Sequence, residues 1–393
     1  MEAIDSWEEV TALGHHLLEL PMPPRLGKMV LVATILKCLD PVLTVAACLA
    51  HKDPFLLPKM PGERFACNEV KRALAAGSCS DHMVLIRVFQ QWQKAHVEGW
   101  EKKFCSKNYV SGATMEMIVG IRSQVLTQLR GMGFVKSRGP HGDIREYNVN
   151  SDNWGIVKAA IVSGMYPNLI RVDREQSIFR TQKQGKIRLH ASCSLYDIST
   201  PSSKCDGNNP IPSMNRLAKK DVVKALPTDW LVFEEMIMTG CVASARTVTA
   251  VSAATVLLMA GPTRLPLHAI STAVTDNGSD SESEDQPLNS YGRLRLDDWV
   301  QFVGAPEKLQ AALQLRHKLH AIMLRRLKAP SKGISPGDDD VIRVVAAVLA
   351  KEEASMGLTA PPGVGQKPMQ GMSPFIWCCS MHFFSISLSV PYI

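Results

Sequence analysis

The sequence predicts an α+β protein in which a helical bundle is followed by a small antiparallel β-barrel and then by further helices. Three observations lead there. Apolar residues recur at helical spacing over about the first 165 positions, short β-favouring runs separated by turn residues follow from Leu169 to Val251, and helical stripes resume after an acidic low-complexity stretch. At 393 residues and 46% hydrophobic content the chain exceeds what one core usually supports, so two or three packed domains are expected.

From Pro24 to Phe55 the run PRLGKMVLVATILKCLDPVLTVAACLAHKDPF is broken at Asp40-Pro41 and again at Asp53-Pro54. Each Asp-Pro reads as an N-cap followed by proline at the first helical position. Met29, Leu36 and Leu39, then Leu43, Ala46, Ala47 and Ala50, give two short buried helices. A third helix is expected from Ser80-Asp81 through Trp92, carrying Met83, Leu85, Ile86 and Phe89. A fourth runs from about Ala113 to Arg130, where Gly131 and Gly133 stop it.

After Met165 the strand-like runs are Leu169 to Val172, Ser177 to Thr181, Lys186 to His190, Trp230 to Glu234 and Val242 to Val251. Ser192 to Lys219, rich in Ser, Pro, Asn and Gly, reads as a long loop inside the barrel, and Thr275 to Gln286 (TDNGSDSESEDQ) as an acidic linker. Leu296 to Phe302, Glu307 to Leu327 and Asp338 to Glu353 then carry helical stripes, with Ala312, Leu315, Leu319 and Ile322 directed at the barrel or the bundle. The stretch Ser373 to Ile393 is apolar over about the length a membrane anchor needs, roughly 20 residues, but Pro391, His382 and serines interrupt it. It is expected to be a non-native C-terminus, from an incomplete gene model or an alternative splice product, with the break near Gln366.

The net charge of +7 is spread over 44 basic residues, which suits a polyanionic partner without specifying one. Ten cysteines contain no C-x-x-C pair, which favours reduced thiols, and the acidic start (Glu2, Asp5, Glu8, Glu9) is unlike a secretory signal. The expected location is the cytoplasm, with the nucleus as a second compartment. No G-x-x-x-x-G-K-[ST] loop, D-E-x-H box, H-E-x-x-H, G-x-S-x-G or zinc-deaminase signature occurs, so neither a catalytic constellation nor a cofactor is expected in this chain. His15-His16 and the pair His317 and His320 have no third or fourth ligand in view and read as packing or surface residues rather than a metal site.

An ordered series of phrases carries a family likeness. LGHHLLELPMPP (Leu13 to Pro24), Leu26-Gly27-Lys28, Asp53-Pro54-Phe55, Ser80-Asp81-His82, Trp92, Phe104-Cys105 and Asn108 come first; AIVSGMYP (from Ala160), RLHASC (from Arg188) and DWLVFEE (from Asp229) follow. In this order they resemble the C-terminal part of DEAH/RHA-type ATP-dependent RNA helicases. The likeness runs from about residue 8 to 365. It is narrowest to the animal members that carry a YTH domain, through the acidic linker and the LDDW and LRRLKAPSK phrases. Where the family has H-P-S-S this chain has His190-Ala191-Ser192-Cys193.

The resemblance implies a winged-helix remnant over 1–25, a helical ratchet-like domain over 26–165, an OB-fold barrel over 166–274, the linker over 275–290, C-terminal helices over 291–358 and a tail over 359–393. It also implies that the ratchet and the barrel close over single-stranded RNA while RecA-like motor domains, expected upstream of Met1, use ATP and Mg to translocate 3′ to 5′. Barrels of this type bind strands through a basic groove with stacking side chains. The candidate RNA contacts are Arg180, Lys183, Lys186, Arg188 and His190 in the hairpin RTQKQGKIRLH, where strand alternation puts Lys186, Arg188 and His190 on one face. The competing reading is a charged, solvated edge strand. Arg122 joins the candidates from the fourth helix, with Arg130, Lys136 and Arg138 nearby, as channel lining or as a plain basic face. Trp92, Trp100, Trp154 and Trp230 are stacking candidates that read more simply as core. Ser279, Ser281 and Ser283 precede acidic residues and are candidate phosphorylation sites. The competing function is a protein-interaction module that docks on helicase motors or other partners.

Overall fold

The computed structural model describes residues 2–136, 144–195, 223–263, 265, 269–273 and 291–358. Helices α1 (Ala12–Glu19), α2 (Pro24–Ile35), α3 (Leu39–Ala50), α4 (Pro61–Ala75), α5 (Asp81–Val97), α6 (Glu101–Lys107), α7 (Gly112–Gly131) and α8 (Trp154–Met165) form the bundle. Strands β1 (Leu169–Asp173), β2 (Ile178–Arg180), β3 (Arg188–Leu189), β4 (Trp230–Thr239) and β5 (Val242–Val251) form a barrel-like sheet in the order β2-β1-β4-β5-β3. Helix α9 (Ala253–Met259) leads to a second, three-stranded sheet of β6 (Ile270–Ala273), β7 (Tyr291–Arg295) and β8 (Gln301–Gly304), and then come α10 (Pro306–Lys328) and α11 (Pro336–Ser355). The α+β architecture is the one the sequence predicts.

Helix α8 is the centre of packing, because all twelve of its residues are buried. Such a helix needs neighbours on every side, and α2, α3, α9, α11 and β4 supply them. Two glycines make the closest approaches possible. A Cβ on Gly164 would lie 2.6 Å from the Arg25 carbonyl oxygen and 2.7 Å from Met29 Cβ, and one on Gly155 would lie 3.0 Å from Leu349. The one charged residue of α8, Lys158, is fully buried and donates to Glu353 Oε2 of α11 at 2.5 Å. Beyond α11, Leu358 enters the barrel core with Ile170, Val172, Phe179, Leu231 and Phe233. The C-terminal helix is thereby fixed to both the bundle and the barrel.

Helix starts follow the expected cap chemistry at Ser80, whose hydroxyl accepts from Met83 N, and also at Ser111, Asn153 and Ser252. The two Asp-Pro caps are corrected. Helix α3 starts at Leu39 with no side-chain cap, and the Asp40 carboxylate turns away to pair with Arg122 at 2.7 Å. Asp53 starts no helix; it accepts from Phe55 N at 3.0 Å and pairs with Lys71 and Arg246. An aspartate before proline serves as a cap or as an Asx turn with equal ease locally, and distant cations decide between them. Helices α1, α4, α6 and α8, not delimited one by one in the sequence, complete the all-helical region expected up to about residue 165.

A further correction concerns Leu296 to Phe302. This segment is the turn between β7 and β8 and the start of β8, inside the span assigned to C-terminal helices. The alternation was present in the sequence: Gly292, Leu294 and Leu296 are buried while Arg293 and Arg295 are exposed, a period of two that belongs to a half-buried strand. Most of the expected loop from Ser192 to Lys219, the acidic linker with its three serines, and the tail lie outside the described residues. Among the described residues no helix is long and apolar enough to cross a membrane.

The Lys158–Glu353 pair yields a test. Lys158→Met strands a buried carboxylate and should destabilise the protein by about 3–5 kcal/mol, whereas Lys158→Met with Glu353→Leu should recover most of that loss. Urea denaturation of the two variants against the parent measures both changes.

Candidate nucleic-acid interface

The basic hairpin is built by a short turn and two buried anchors. Thr181 N donates to the Gln184 carbonyl at 2.9 Å and Gln184 N donates to the Thr181 hydroxyl at 3.1 Å, so Gln182 and Lys183 sit at the tip. Below it Phe179 bridges Ile187, with Ile187 N donating to the Phe179 carbonyl at 2.9 Å. Ile187 and Leu189 point into the barrel core, which leaves Lys186 and Arg188 exposed and His190 half-buried on the other face. Strand β3 then runs parallel to β5, pairing Arg188 with Ser244 and Leu189 with Ala245.

The expected contacts fall into three groups. Lys183, Lys186 and Arg188 are exposed, and among the described residues none of their side chains has a hydrogen-bond or ion-pair partner. Arg180 is half-buried and already paired with Asp173 at 3.0 Å. His190 shares a hydrogen bond with the Ser192 hydroxyl through Nδ1 at 2.7 Å, and burial, with Arg246 and Lys71 adding to it, holds its imidazole below the usual histidine range. At neutral pH His190 is therefore a hydrogen-bonding group and not a cation.

Arg122 is corrected outright. It is buried, donates to the Asp40 carbonyl at 3.0 Å, pairs with the Asp40 carboxylate, bonds the Thr44 hydroxyl and stacks over the Phe89 ring at 4.9 Å. It ties α7 to α3 and lines no surface. Lys136 is exposed and 3.6 Å from Glu146, while Arg138 lies outside the described residues. Among the tryptophans, Trp92, Trp154 and Trp230 are buried and Trp100 is partly exposed. His16 and His320 bond the carbonyls of Leu327 and Leu258, and His15 and His317 are exposed.

The joint between bundle and barrel lies just beyond this hairpin. The start of α5 lies along the part of the β5 edge that β3 leaves open: Ala250 N donates to the Cys79 carbonyl at 2.9 Å, and Ser80 bridges Thr249. The Asp81 carboxylate accepts three bonds, from Ser194 N at 2.8 Å, from the Ser194 hydroxyl at 2.6 Å and from Val248 N at 2.8 Å. Thr249 Oγ1 lies 2.7 Å from both the Ser80 hydroxyl and His82 Nδ1. A crevice of about 30 Å³ opens beside this clamp, lined by Asp53, Lys71, Asp81, Ser192, Arg246 and Thr247. It has room for about one water molecule.

Both cations of the crevice face Asp53, with Lys71 at 3.4 Å and Arg246 at 3.2 Å, so the crevice is internally neutralised. Thr247 adopts φ 52°, a left-handed conformation that is costly for a β-branched residue. The sequence had shown Ser80-Asp81 as a helix start. That the same aspartate would cap a sheet edge could not be read from local pattern.

Comparison with known proteins agrees with this architecture. Residues 23–85 match the family model of the helicase associated domain (HA2), ratchet-like, and residues 157–263 match that of the oligonucleotide/oligosaccharide-binding (OB)-fold. The ATP-dependent DNA/RNA helicase DHX36 of Bos taurus is 37% identical over 198 residues, covering 48% of this chain and 19% of the relative. The DExH-box ATP-dependent RNA helicase DExH1 of Arabidopsis thaliana is 37% identical over 190 residues, covering 48% of this chain and 18% of the relative. DExH2 of the same plant is 26% identical over 380 residues, covering 88% of this chain and 22% of the relative. The chain spans about a fifth of the length of these curated relatives. The two matched segments are similar to the helicase-associated and OB-fold domains of DExH-box RNA helicases. The narrower likeness to members with a YTH domain is not supported by these matches.

Two outcomes follow from the joint. Asp81→Ala removes the acceptor of two backbone N–H groups, and at about 1–3 kcal/mol for a buried donor left unsatisfied it should weaken the fold measurably and speed hydrogen exchange at Val248. His82 is fully buried and burial lowers its pKa to about 3. The unfolded chain takes up that proton near the ordinary histidine pKa of about 6.5 while the native protein does not, so stability is complete above that pH and falls as pH drops toward 3. At about 1.4 kcal/mol per pKa unit the effect amounts to a few kcal/mol. His82→Asn should flatten the loss of urea stability between pH 7 and pH 5.

Proposed function

We propose that this chain grips single-stranded RNA as the accessory region of an ATP-dependent helicase that translocates 3′ to 5′. Its protein partners in this reading are RecA-like motor domains, which hold the ATP and Mg; this chain binds neither and by itself hydrolyses no ATP. The observation that carries the reading is the contrast in charge around the barrel. Arg180, Lys71 and Arg246 are paired with carboxylates, whereas Lys183 at the hairpin tip and Lys186 and Arg188 on the exposed face of its second arm have no internal partner among the described residues. Unpaired cations beside a backbone turn suit phosphates, which give affinity without base readout. The seven free cysteines among the described residues accord with a reducing compartment, and we place the protein in the cytoplasm.

A second reading, a module that docks on motor domains or other partners, draws on a different surface. Leu56, Leu57, Met60 and Phe65 are all exposed around the segment that leads into α4. Apolar side chains gathered in this way are a frequent mark of protein contact.

Fluorescence anisotropy with a single-stranded RNA over a salt series separates the two. RNA gripping requires binding that weakens with salt. The triple variant Lys183→Glu, Lys186→Glu, Arg188→Glu should bind more weakly, and its plot of log K against log salt should be shallower by about 0.7 for each phosphate left without its cation. Absence of binding even at low salt would leave the docking module. ATP hydrolysis above a blank with RNA stimulation would contradict the motor-free part of the proposal.

A further inference from the structure

The loop between α10 and α11 carries a feature that strand gripping does not use. Ser335 is exposed at the end of this loop with an extended backbone, φ −70° and ψ 155°, and Pro336 follows it directly. Among the described residues it is the one serine or threonine that precedes a proline. Its hydroxyl is engaged only by Asp338 N at 3.2 Å, at the long limit for such a bond, and it lies at the first turn of a helix, where fraying is easiest. On its N-terminal side Ile334 packs against the core and the Lys332 carbonyl accepts from Arg326, whereas Ser335, Pro336 and Gly337 are all exposed, so a partner enzyme meets the acceptor and the residues that follow it.

An extended, accessible acceptor serine with a pyrrolidine ring immediately after it is the chemistry that one class of protein kinases selects. We propose that Ser335 is a phosphoacceptor for a proline-directed serine/threonine kinase. In the transfer, Ser335 Oγ attacks the γ-phosphorus of ATP held by that kinase. The new bond is Oγ–P, the bond broken is the one from the γ-phosphorus to the β,γ-bridging oxygen, ADP leaves with that electron pair, and the hydroxyl proton passes to the kinase's base. The product carries about −1.5 to −2 charges at neutral pH.

The position matters because the start of α11 is an electrostatic joint. Asp338 pairs with Arg325 of α10 at 2.5 Å, and Asp339 pairs with Lys37 next to α2. A phosphate three residues before Asp338 enters the same field, competing with that carboxylate for Arg325 and drawing on Lys332. It acts on the helix that also supplies Glu353 to Lys158 and leads to Leu358 in the barrel core.

The test uses the full chain with a purified proline-directed kinase and Mg-ATP, with occupancy read site by site by peptide mass spectrometry. Phosphate is expected on Ser335 in the parent, none at that position in Ser335→Ala, and an initial rate at Ser335 lower by about an order of magnitude in Pro336→Ala, the size of effect expected from removing one recognition group. A thermal melt of Pro336→Ala matching the parent shows that the variant is folded. Thr200-Pro201 and Ser373-Pro374 serve as internal comparisons. An unmodified Ser335 while a control substrate peptide is fully phosphorylated overturns the proposal, as does an equal rate at Ser335 in Pro336→Ala.

Discussion

The arrangement of bundle and barrel depends on how the open edge of β5 is covered. A strand edge carries unpaired N–H and C=O groups that are costly when buried without partners. Here the loop entering α5 answers them, with the Cys79 carbonyl taking Ala250 N and the Asp81 carboxylate taking Val248 N. The same carboxylate holds the Ser194 backbone, so the turn that follows the basic hairpin is fixed by a residue of the helical bundle. Thr249 gathers Ser80 and His82 into the joint, and the left-handed Thr247 sits within it. The strained residue and the neutral buried histidine are both consequences of bringing a helix start hard against a sheet edge.

A second constraint comes from α8. A helix buried on every side has to recruit its neighbours from distant parts of the chain, and it does so through glycine contacts at Gly155 and Gly164 and through the buried Lys158–Glu353 pair. Buried ion pairs are weak sources of net stability but strict about geometry, since either charge alone is heavily penalised. Glu353 therefore fixes where α11 lies against α8, and Leu358 carries that placement into the barrel core. The later helices are structural parts of both the bundle and the barrel.

Charge around the barrel is organised by pairing more than by number. Asp53 serves Lys71 and Arg246 together, Asp173 serves Arg180, and Asp40 takes Arg122 into the interior. What is left unpaired on the described hairpin is Lys183 at the tip and Lys186 and Arg188 on one face. The net charge of +7 does not single these residues out, and pairing does so only within the hairpin, because the side chain of Arg171 of β1 is also exposed without a partner among the described residues.

Local periodicity determined a good deal of this protein. The helical spacing before residue 165, the strand runs after it, the Ser80 cap and the alternation that exposes Lys186 and Arg188 were all legible, because each depends on neighbours a few residues away. The same rule, applied to Gly292 through Leu296, would have identified β7. Tertiary structure decided everything that depends on a distant partner. Asp40 and Asp53 look alike in sequence yet one joins Arg122 in the core and the other balances Lys71 and Arg246 at the joint. Arg122 and Arg188 are both basic residues at regular positions, and only the presence of Asp40 beside one and solvent beside the other separates a core tie from a candidate phosphate contact. Side-chain chemistry is written locally, but whether a charge is paired, buried or free is fixed by which remote residue the fold brings within about 4 Å of it.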